Sequence, residues 1–221
     1  MKEIKLSAIV QSACAVSFKE MVRWGGRCCL VLLVALALQA CSDDEEDTPS
    51  WKETNANYFN ELYSSARQRI SSGDTQWKVI KSYAKDQSSQ GIPSDYIVVH
   101  VIEEGSGTNV PLTTDTVRVD YQGRLIPTAT NTEGEVFDQS WSGEYDLITN
   151  MPAKFAVNAV VDGFATALQK MHVGDRWMVY IPQELGYRGE NNTSIPAYST
   201  LVFDITLRAI YKPGTPVPAW K

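Results

Sequence analysis

The segment GEVFDQSW, residues 134–141, places a carboxylate between large apolar side chains. Asp138 directly follows Phe137, and Trp141 comes three residues later. A carboxylate that is removed from water costs free energy unless a neighbouring group donates a hydrogen bond to it. Asp138 could accept such bonds as an ordinary turn or cap residue. It could instead be one of a few polar groups that face an apolar pocket, and this segment alone leaves both interpretations open.

Common catalytic and metal-binding patterns are missing from the sequence. The two histidines, His100 and His172, lie in unrelated contexts, and we expect each to be an ordinary strand or helix-end residue. No G-x-S-x-G segment, phosphate-binding glycine loop or metal-ligand spacing occurs. We therefore expect chemistry without a metal, a cofactor or a nucleophile.

A set of aromatic and aliphatic residues near predicted turns and chain reversals is the remaining candidate for a site. A reaction that needs an apolar pocket and one or two polar groups would suit such a set. Its members are Tyr121, Phe137, Trp141, Phe155, Val160, Val161, Phe164, Tyr187, Ile195 and Phe203.

The elements that must position these residues follow from the hydrophobic pattern. Runs of β-branched and aromatic residues predict strands at 96–105, 115–126, 176–182 and 199–211, with a further candidate strand at 77–83. Apolar residues at helical spacing predict one short helix within 160–174, ended by Gly174. Several antiparallel strands with one short helix predict an α+β domain over 96–211, with the helix packed on one face of the sheet.

Residues 55–95 are predicted to form a helical extension and a linker before this domain. Apolar residues between Tyr58 and Ile70 recur at helical spacing, and Gly73 ends the pattern. The apolar face of this helix could pack on the domain, which is the more common case, or on a second copy in a homodimer through residues 55–72. The tail, residues 212–221, contains three prolines and predicts an extended, loosely held terminus.

The first forty residues resemble a secretory signal. An apolar run of ten residues, CLVLLVALAL at 29–38, follows Arg23 and Arg27 and is too short to span a bilayer as a mature helix. The segment LQAC, which ends at Cys41, predicts cleavage and lipidation of that cysteine, although an ordinary signal peptide is the alternative. Translation could begin at Met21, because residues 1–20 carry no targeting pattern.

The charge distribution separates the leader from the rest of the chain. Of 20 basic and 26 acidic side chains, five and two precede residue 41, which leaves 15 against 24 and a formal charge of −9. Nucleic acid is therefore an unfavourable partner. All four cysteines lie at or before position 41, so no disulfide is predicted beyond it.

An acidic run, SDDEEDTPS, follows Cys41 directly. We expect residues 41–54 to be a solvated tether. The run also resembles an acidic export signal that directs lipoproteins of some Gram-negative bacteria to the outer face of the outer membrane. The sequence thus predicts a membrane-anchored, surface-exposed outer-membrane lipoprotein.

Five segments in register resemble one known family. VRVDYQGRL, GEVFDQSW, AKFAVNAVVDGFATALQKMHVGDRWMVYIP, LGYRG and SIPAYSTLVFDITL occur in the order and spacing of FKBP-type peptidyl-prolyl cis–trans isomerases. The resemblance implies an FKBP-like twisted antiparallel sheet wrapped around one short helix. It also implies an enzyme that rotates Xaa–Pro bonds of polypeptides and that macrolides can inhibit. A non-catalytic binding or chaperone module with the same pocket is the alternative.

The resemblance also assigns roles to the residues. Phe164 resembles the floor of the proline pocket, where the family usually has tryptophan. The implied catalytic set is Tyr121, Phe137, Asp138, Phe164, Tyr187 and Phe203, and the implied substrate contacts are Trp141, Phe155, Val160, Val161 and Ile195. The Tyr187 hydroxyl and the Val161 N–H resemble the donors to a substrate carbonyl.

Three departures from the family pattern concern the pocket mouth. The loop at 126–133 is longer than usual, Arg188 stands where a glycine is common, and Ala197 stands where a second proline is common. The resemblance therefore predicts the fold more firmly than it predicts the turnover rate or the macrolide affinity.

Overall fold

The computed structural model describes residues 49–220. The predictions for the signal peptide, for Cys41 and for the acidic run at 43–47 lie outside the described residues. Among the helices that are described, none combines the length and apolar character needed to cross a membrane.

Helix α1 (Trp51–Ser71) begins four residues before the predicted helix, inside the predicted tether. The cause is a capping box, in which the Glu53 N–H donates to Ser50 Oγ over 3.3 Å and the Ser50 N–H donates to Glu53 Oε2 over 2.9 Å. These two bonds satisfy backbone groups that would otherwise lack partners at the helix start.

Seven strands in the described part of the chain form one antiparallel sheet. The order is β1–β2–β6–β7–β3–β4, and β5 also pairs with β3. The strands are β1 (Trp77–Lys81), β2 (Tyr96–Glu103), β3 (Thr116–Arg124), β4 (Val136–Gln139), β5 (Ala153–Ala156), β6 (Arg176–Ile181) and β7 (Leu201–Tyr211). The pattern did not predict β4 and β5, because each has four residues and little burial.

One face of the sheet packs against the short helix α2 (Asp162–Leu168). Alternate residues of β3, β6 and β7 supply this core, including Val119, Val179 and Ile205, which are fully buried. A Cβ atom on Gly163 would lie 2.3 Å from Ile181 Cγ2, so only glycine lets the helix approach β6 this closely. The predicted α+β architecture, with one short helix against a sheet face, is confirmed.

The other face of the sheet carries α1. Phe59 and Ala66 are buried against Val98 in a second, smaller apolar cluster. Asn55 fixes the docking, because its Oδ1 accepts the Thr200 N–H over 2.8 Å. The apolar face of α1 is therefore packed in cis, and a homodimer through residues 55–72 stays a prediction.

The C-terminal tail lies against the outer surface of the sheet. Arg118 donates to the carbonyl of Pro218 over 2.9 Å, and its guanidinium lies 5.9 Å from the centre of the Trp220 ring. The tail is extended, as expected, but specific contacts hold it, which the proline-rich pattern did not predict.

Candidate active site

A cavity of about 220 Å³ opens where β3, β4, β5, α2 and the segment after β6 meet. Eight of the residues predicted for the site line it, together with one that was not predicted, Ala159. The lining residues are Tyr121, Asp138, Phe155, Ala159, Val160, Val161, Phe164, Tyr187 and Phe203. The sequence did not predict Ala159, because it lies in a short 3₁₀ segment, Val157–Ala159, and a single small side chain does not contribute to a periodic hydrophobic pattern.

Aromatic rings form the buried end of the cavity. Phe164 meets Phe203 with ring centres 5.0 Å apart and an interplanar angle of 85°, and it meets Tyr121 at 6.3 Å and 90°. Phe155 contacts both Tyr121, at 5.4 Å, and Phe164, at 6.2 Å. Edge-to-face packing of this kind adds to the free energy of ring burial and fixes ring orientation. The cavity therefore has rigid apolar walls.

Phe137 supports a wall of the cavity without lining it. Its ring packs against Phe203 at 5.4 Å and 89°, over Gly123. A Cβ atom on Gly123 would lie 2.5 Å from Phe137 Cε2 and 2.6 Å from Phe203 Cε1. The glycine in the segment VDYQGRL thus makes room for the two rings.

Trp141 and Ile195, two predicted substrate contacts, do not line the cavity. The chain leaves β4 at Gln139, so the alternation of strand side chains no longer applies, and Trp141 packs on Tyr145 at 4.9 Å. Ile195 points into the main core, where the Asn192 side chain accepts its N–H over 2.7 Å and fixes the turn. Both side chains are buried among other residues of the protein.

Asp138 has one hydrogen-bond donor for each carboxylate oxygen. The Tyr121 hydroxyl donates to Oδ2 over 2.7 Å, and the Gln139 N–H donates to Oδ1 over 2.9 Å. Burial raises the pKa of Tyr121 well above its usual range, and the neighbouring Asp138 raises it further, so the hydroxyl stays protonated and donates. Asp138 is both a local acceptor of a backbone N–H and a polar group of the cavity wall.

Two donors lie at the mouth of the cavity. Tyr187 is 36% exposed, and burial raises the pKa of its hydroxyl, with a further contribution from Asp138. The Val161 N–H, at the start of α2, donates to no acceptor within residues 49–220. A ligand carbonyl in the cavity could accept from either group.

Arg188 takes the backbone conformation that glycine favours. Its φ is +57°, and its N–H donates to the carbonyl of Gln183 over 3.0 Å. The left-handed region costs a non-glycine residue about 1–2 kcal/mol. The carbonyl of Arg188 accepts the Tyr198 N–H over 2.7 Å, which helps to hold the turn after Tyr187.

The histidines lie outside the cavity. His100 stacks on Trp77 with ring centres 4.7 Å apart, and the His172 backbone N–H donates to Asp175. In the part of the chain that the structure describes, no group of three histidine, cysteine or carboxylate side chains could hold a metal ion.

Comparison with known proteins agrees with this geometry. Residues 107–208 match the sequence model of the family described as FKBP-type peptidyl-prolyl cis-trans isomerase. The chain is 40% identical over 135 residues to the FKBP-type 22 kDa peptidyl-prolyl cis-trans isomerase of Escherichia coli, covering 60% of this chain and 58% of that protein. It is 34% identical over 132 residues to the isomerase FkpA of Aeromonas hydrophila, covering 59% of this chain and 45% of that protein.

A crystal structure of a peptidyl-prolyl cis-trans isomerase from Pseudomonas syringae aligns with a TM-score of 0.46 and 25% identity, over 69% of this chain and 96% of that one. The chain spans about half the length of the two curated relatives, 58% and 45%. Residues 107–208 are thus the part of the chain that matches the FKBP-type peptidyl-prolyl cis-trans isomerase family.

Proposed function

We propose that this domain is a peptidyl-prolyl cis–trans isomerase that acts on Xaa–Pro bonds of polypeptides. The observation that carries the proposal is the cavity, which combines aromatic walls with a few polar groups and is lined by no serine, threonine, cysteine, lysine or histidine. The relatives from Escherichia coli and Aeromonas hydrophila are named for the same activity.

The chemistry fits an apolar cavity. Rotation about the Xaa–Pro bond is slow because it breaks amide resonance, with a barrier of about 18–20 kcal/mol. In the twisted transition state the amide loses its charge separation, so an apolar environment favours it over the planar, more polar amide. The rate increases because the site binds the transition state more tightly than the ground state, without proton transfer or a covalent intermediate.

We assign roles to the residues on their positions in the cavity. Phe164 forms the floor for the prolyl ring, while Tyr121, Phe155 and Phe203 form walls. Tyr187 and the Val161 N–H donate to the substrate carbonyl that precedes the rotating bond or to a neighbouring one. Asp138, held by Tyr121, keeps the hydroxyl of that tyrosine oriented along the wall. A macrolide with a proline-like ring and a carbonyl would use the same floor and donors.

An isomerisation assay tests the proposal. Residues 49–221 would be mixed with a proline-containing tetrapeptide, and the rate of cis-to-trans conversion measured with and without protein. We expect acceleration that saturates with substrate. Binding of the peptide without acceleration would favour the non-catalytic binding module instead.

We further propose that the full chain is a lipid-anchored protein of the outer membrane that acts on exported or surface proteins. The support is the leader sequence, Cys41 and the acidic run at 43–47. An acyl chain contributes about 0.8 kcal/mol of anchoring free energy per buried methylene. Cys41→Ala should move the protein from the membrane fraction to a soluble fraction. Protease treatment of intact cells, with and without neutralisation of the acidic run, would test the outward orientation separately.

A further inference from the structure

The loop between β4 and β5, residues 140–152, exposes apolar side chains beside the cavity. Ile148 is 90% exposed and Met151 is 67% exposed, so neither side chain stabilises the loop by burial. The loop joins the strand of Asp138 to the strand of Phe155, and both residues line the cavity. A change in the position or mobility of this loop would therefore shift residues in two walls of the cavity.

Polar contacts with the outer face of the sheet hold this loop. Arg208 donates to the carbonyl of Leu147 over 2.8 Å, and Arg118 donates to the carbonyl of Pro152 over 3.0 Å. The Tyr145 hydroxyl lies 2.9 Å from Thr206 Oγ1. Trp141 is buried at the start of the loop, but no side chain in residues 146–151 is buried. Since segments with few buried apolar contacts open most readily, these bonds determine how often residues 146–151 open.

The same two arginines hold the C-terminal tail. Arg118 uses its second terminal nitrogen to donate to the Pro218 carbonyl over 2.9 Å. The guanidinium carbons of Arg208 and Arg118 lie 5.2 Å and 5.9 Å from the centre of the Trp220 ring. Both distances fall within the range in which a cation is attracted to an aromatic face.

The two arginines differ in what else restrains them. Arg208 forms an ion pair with the buried Asp120. Arg118 forms no ion pair within residues 49–220, and its Nε is buried without a hydrogen-bond partner. The orientation of Arg118, and with it the bond to Pro152, therefore depends on the tail more than that of Arg208 does.

We propose that the C-terminal tail, through Trp220, clamps loop 140–152 and so positions the walls of the cavity. Trp220 is a positioning residue that acts through Arg118 and Arg208 and does not touch the substrate. The effect on catalysis rests on the proposed isomerase function, whereas the effect on the loop does not.

The test compares three variants of the full chain. Trp220→Ala removes the ring, Trp220→Phe keeps an aromatic face, and Pro216→Ala changes an exposed tail residue as a control. Each cation–π contact at an exposed site shifts an equilibrium by about two- to fivefold. We therefore expect amide exchange in residues 146–151 of Trp220→Ala to accelerate by roughly fivefold to thirtyfold. Trp220→Phe should restore most of the protection, and Pro216→Ala should exchange like the parent.

Enzyme kinetics complete the test. Trp220→Ala should raise KM for a proline-containing peptide severalfold with little change in kcat, and Trp220→Phe should bring KM back. Unchanged exchange in the loop would overturn the clamp, and faster exchange with unchanged KM would overturn its role in positioning the site. If the parent protein showed no isomerase activity, peptide affinity measured by calorimetry would replace KM. The proposed function would then fail while the clamp would still be decided.

Discussion

At the scale of single residues, Asp138 illustrates how a carboxylate can be held at the exposed edge of an apolar cavity. Each of its oxygens receives one hydrogen bond, and one of the donors is the protonated hydroxyl of Tyr121. A hydrogen bond to a charged group contributes more than one between neutral groups, about 1.5–3 kcal/mol. The carboxylate is therefore held in place by its neighbours and leaves the aromatic floor free for a ligand.

Phe164→Ala should abolish most isomerase activity and lower the free energy of unfolding by about 3–5 kcal/mol, since it removes a buried ring from both the floor and the core. The measurements are kcat/KM and urea denaturation. Phe59→Ala is the matched control, because it removes a ring that is equally buried in the cluster under α1. Its stability should fall by a similar amount while the activity of the folded protein stays intact. Full activity in Phe164→Ala would contradict the assignment of the floor.

Tyr187→Phe should weaken ligand binding by about 0.5–1.5 kcal/mol, the value of one hydrogen bond, with an unchanged Tm. Titration calorimetry with a proline-containing peptide or a macrolide measures the first effect and thermal unfolding the second. Tyr198→Phe is the control, since Tyr198 is 37% exposed, close to the 36% of Tyr187, but lies outside the cavity. A large loss of Tm in Tyr187→Phe would mean that its hydroxyl has a structural role.

At the scale of elements, the N-terminal helix is joined to the sheet by a polar bond as well as by apolar packing. Asn55 is buried, donates from Nδ2 to the Trp51 carbonyl over 2.8 Å, and accepts the Thr200 N–H. Thr200 directly precedes β7, whose residue Phe203 lines the cavity. The docking of α1 thus stabilises the start of a strand that belongs to the site.

Asn55→Ala should lower the free energy of unfolding by about 1–3 kcal/mol, because it leaves the buried Thr200 N–H without its acceptor. Chemical denaturation followed by circular dichroism measures the loss. Asn57→Ala, on the exposed side of the same helix, should have an effect within about 0.5 kcal/mol. Equal effects of the two substitutions would show that α1 is not held through Asn55.

At the scale of the whole molecule, a buried tyrosine makes the free energy of unfolding decrease at alkaline pH. Burial raises the pKa of Tyr180, which lies between α1 and the sheet, to about 12. A group whose pKa is higher in the folded state stabilises the fold while it is protonated in both states. That contribution is complete below about pH 10, the pKa of an exposed tyrosine, and is lost as pH rises through the folded value.

The free energy of unfolding should therefore fall between pH 10 and 12, with about 2–3 kcal/mol of the fall due to Tyr180. Urea denaturation at pH 8, 10, 11 and 12 measures the decline. Tyr180→Phe lacks the titrating hydroxyl and should decline less steeply over the same interval, which separates this group from other alkaline effects. Parallel declines in the two proteins would count against the raised pKa.

The sequence by itself determined much of the fold and most of the cavity lining. Strand periodicity places Val119 and Tyr121 on the core face of β3, and helical spacing places Phe164 on the buried side of α2. These features are local, because the alternation of side chains along a strand or helix decides which residues are buried. The resemblance of five segments to one family added which of these residues meet in one pocket.

Only the tertiary structure decided which side chains of irregular segments face that pocket. Trp141 and Ile195 follow a strand end and a turn, where no periodicity relates sequence position to side-chain direction, and neither lines the cavity. The prolines of the tail likewise did not predict which residues the tail contacts. Its partners, Arg118 and Arg208, lie about a hundred and about ten residues earlier in the chain. Contacts between distant segments depend on how the strands pair, and that pairing is a property of the folded chain.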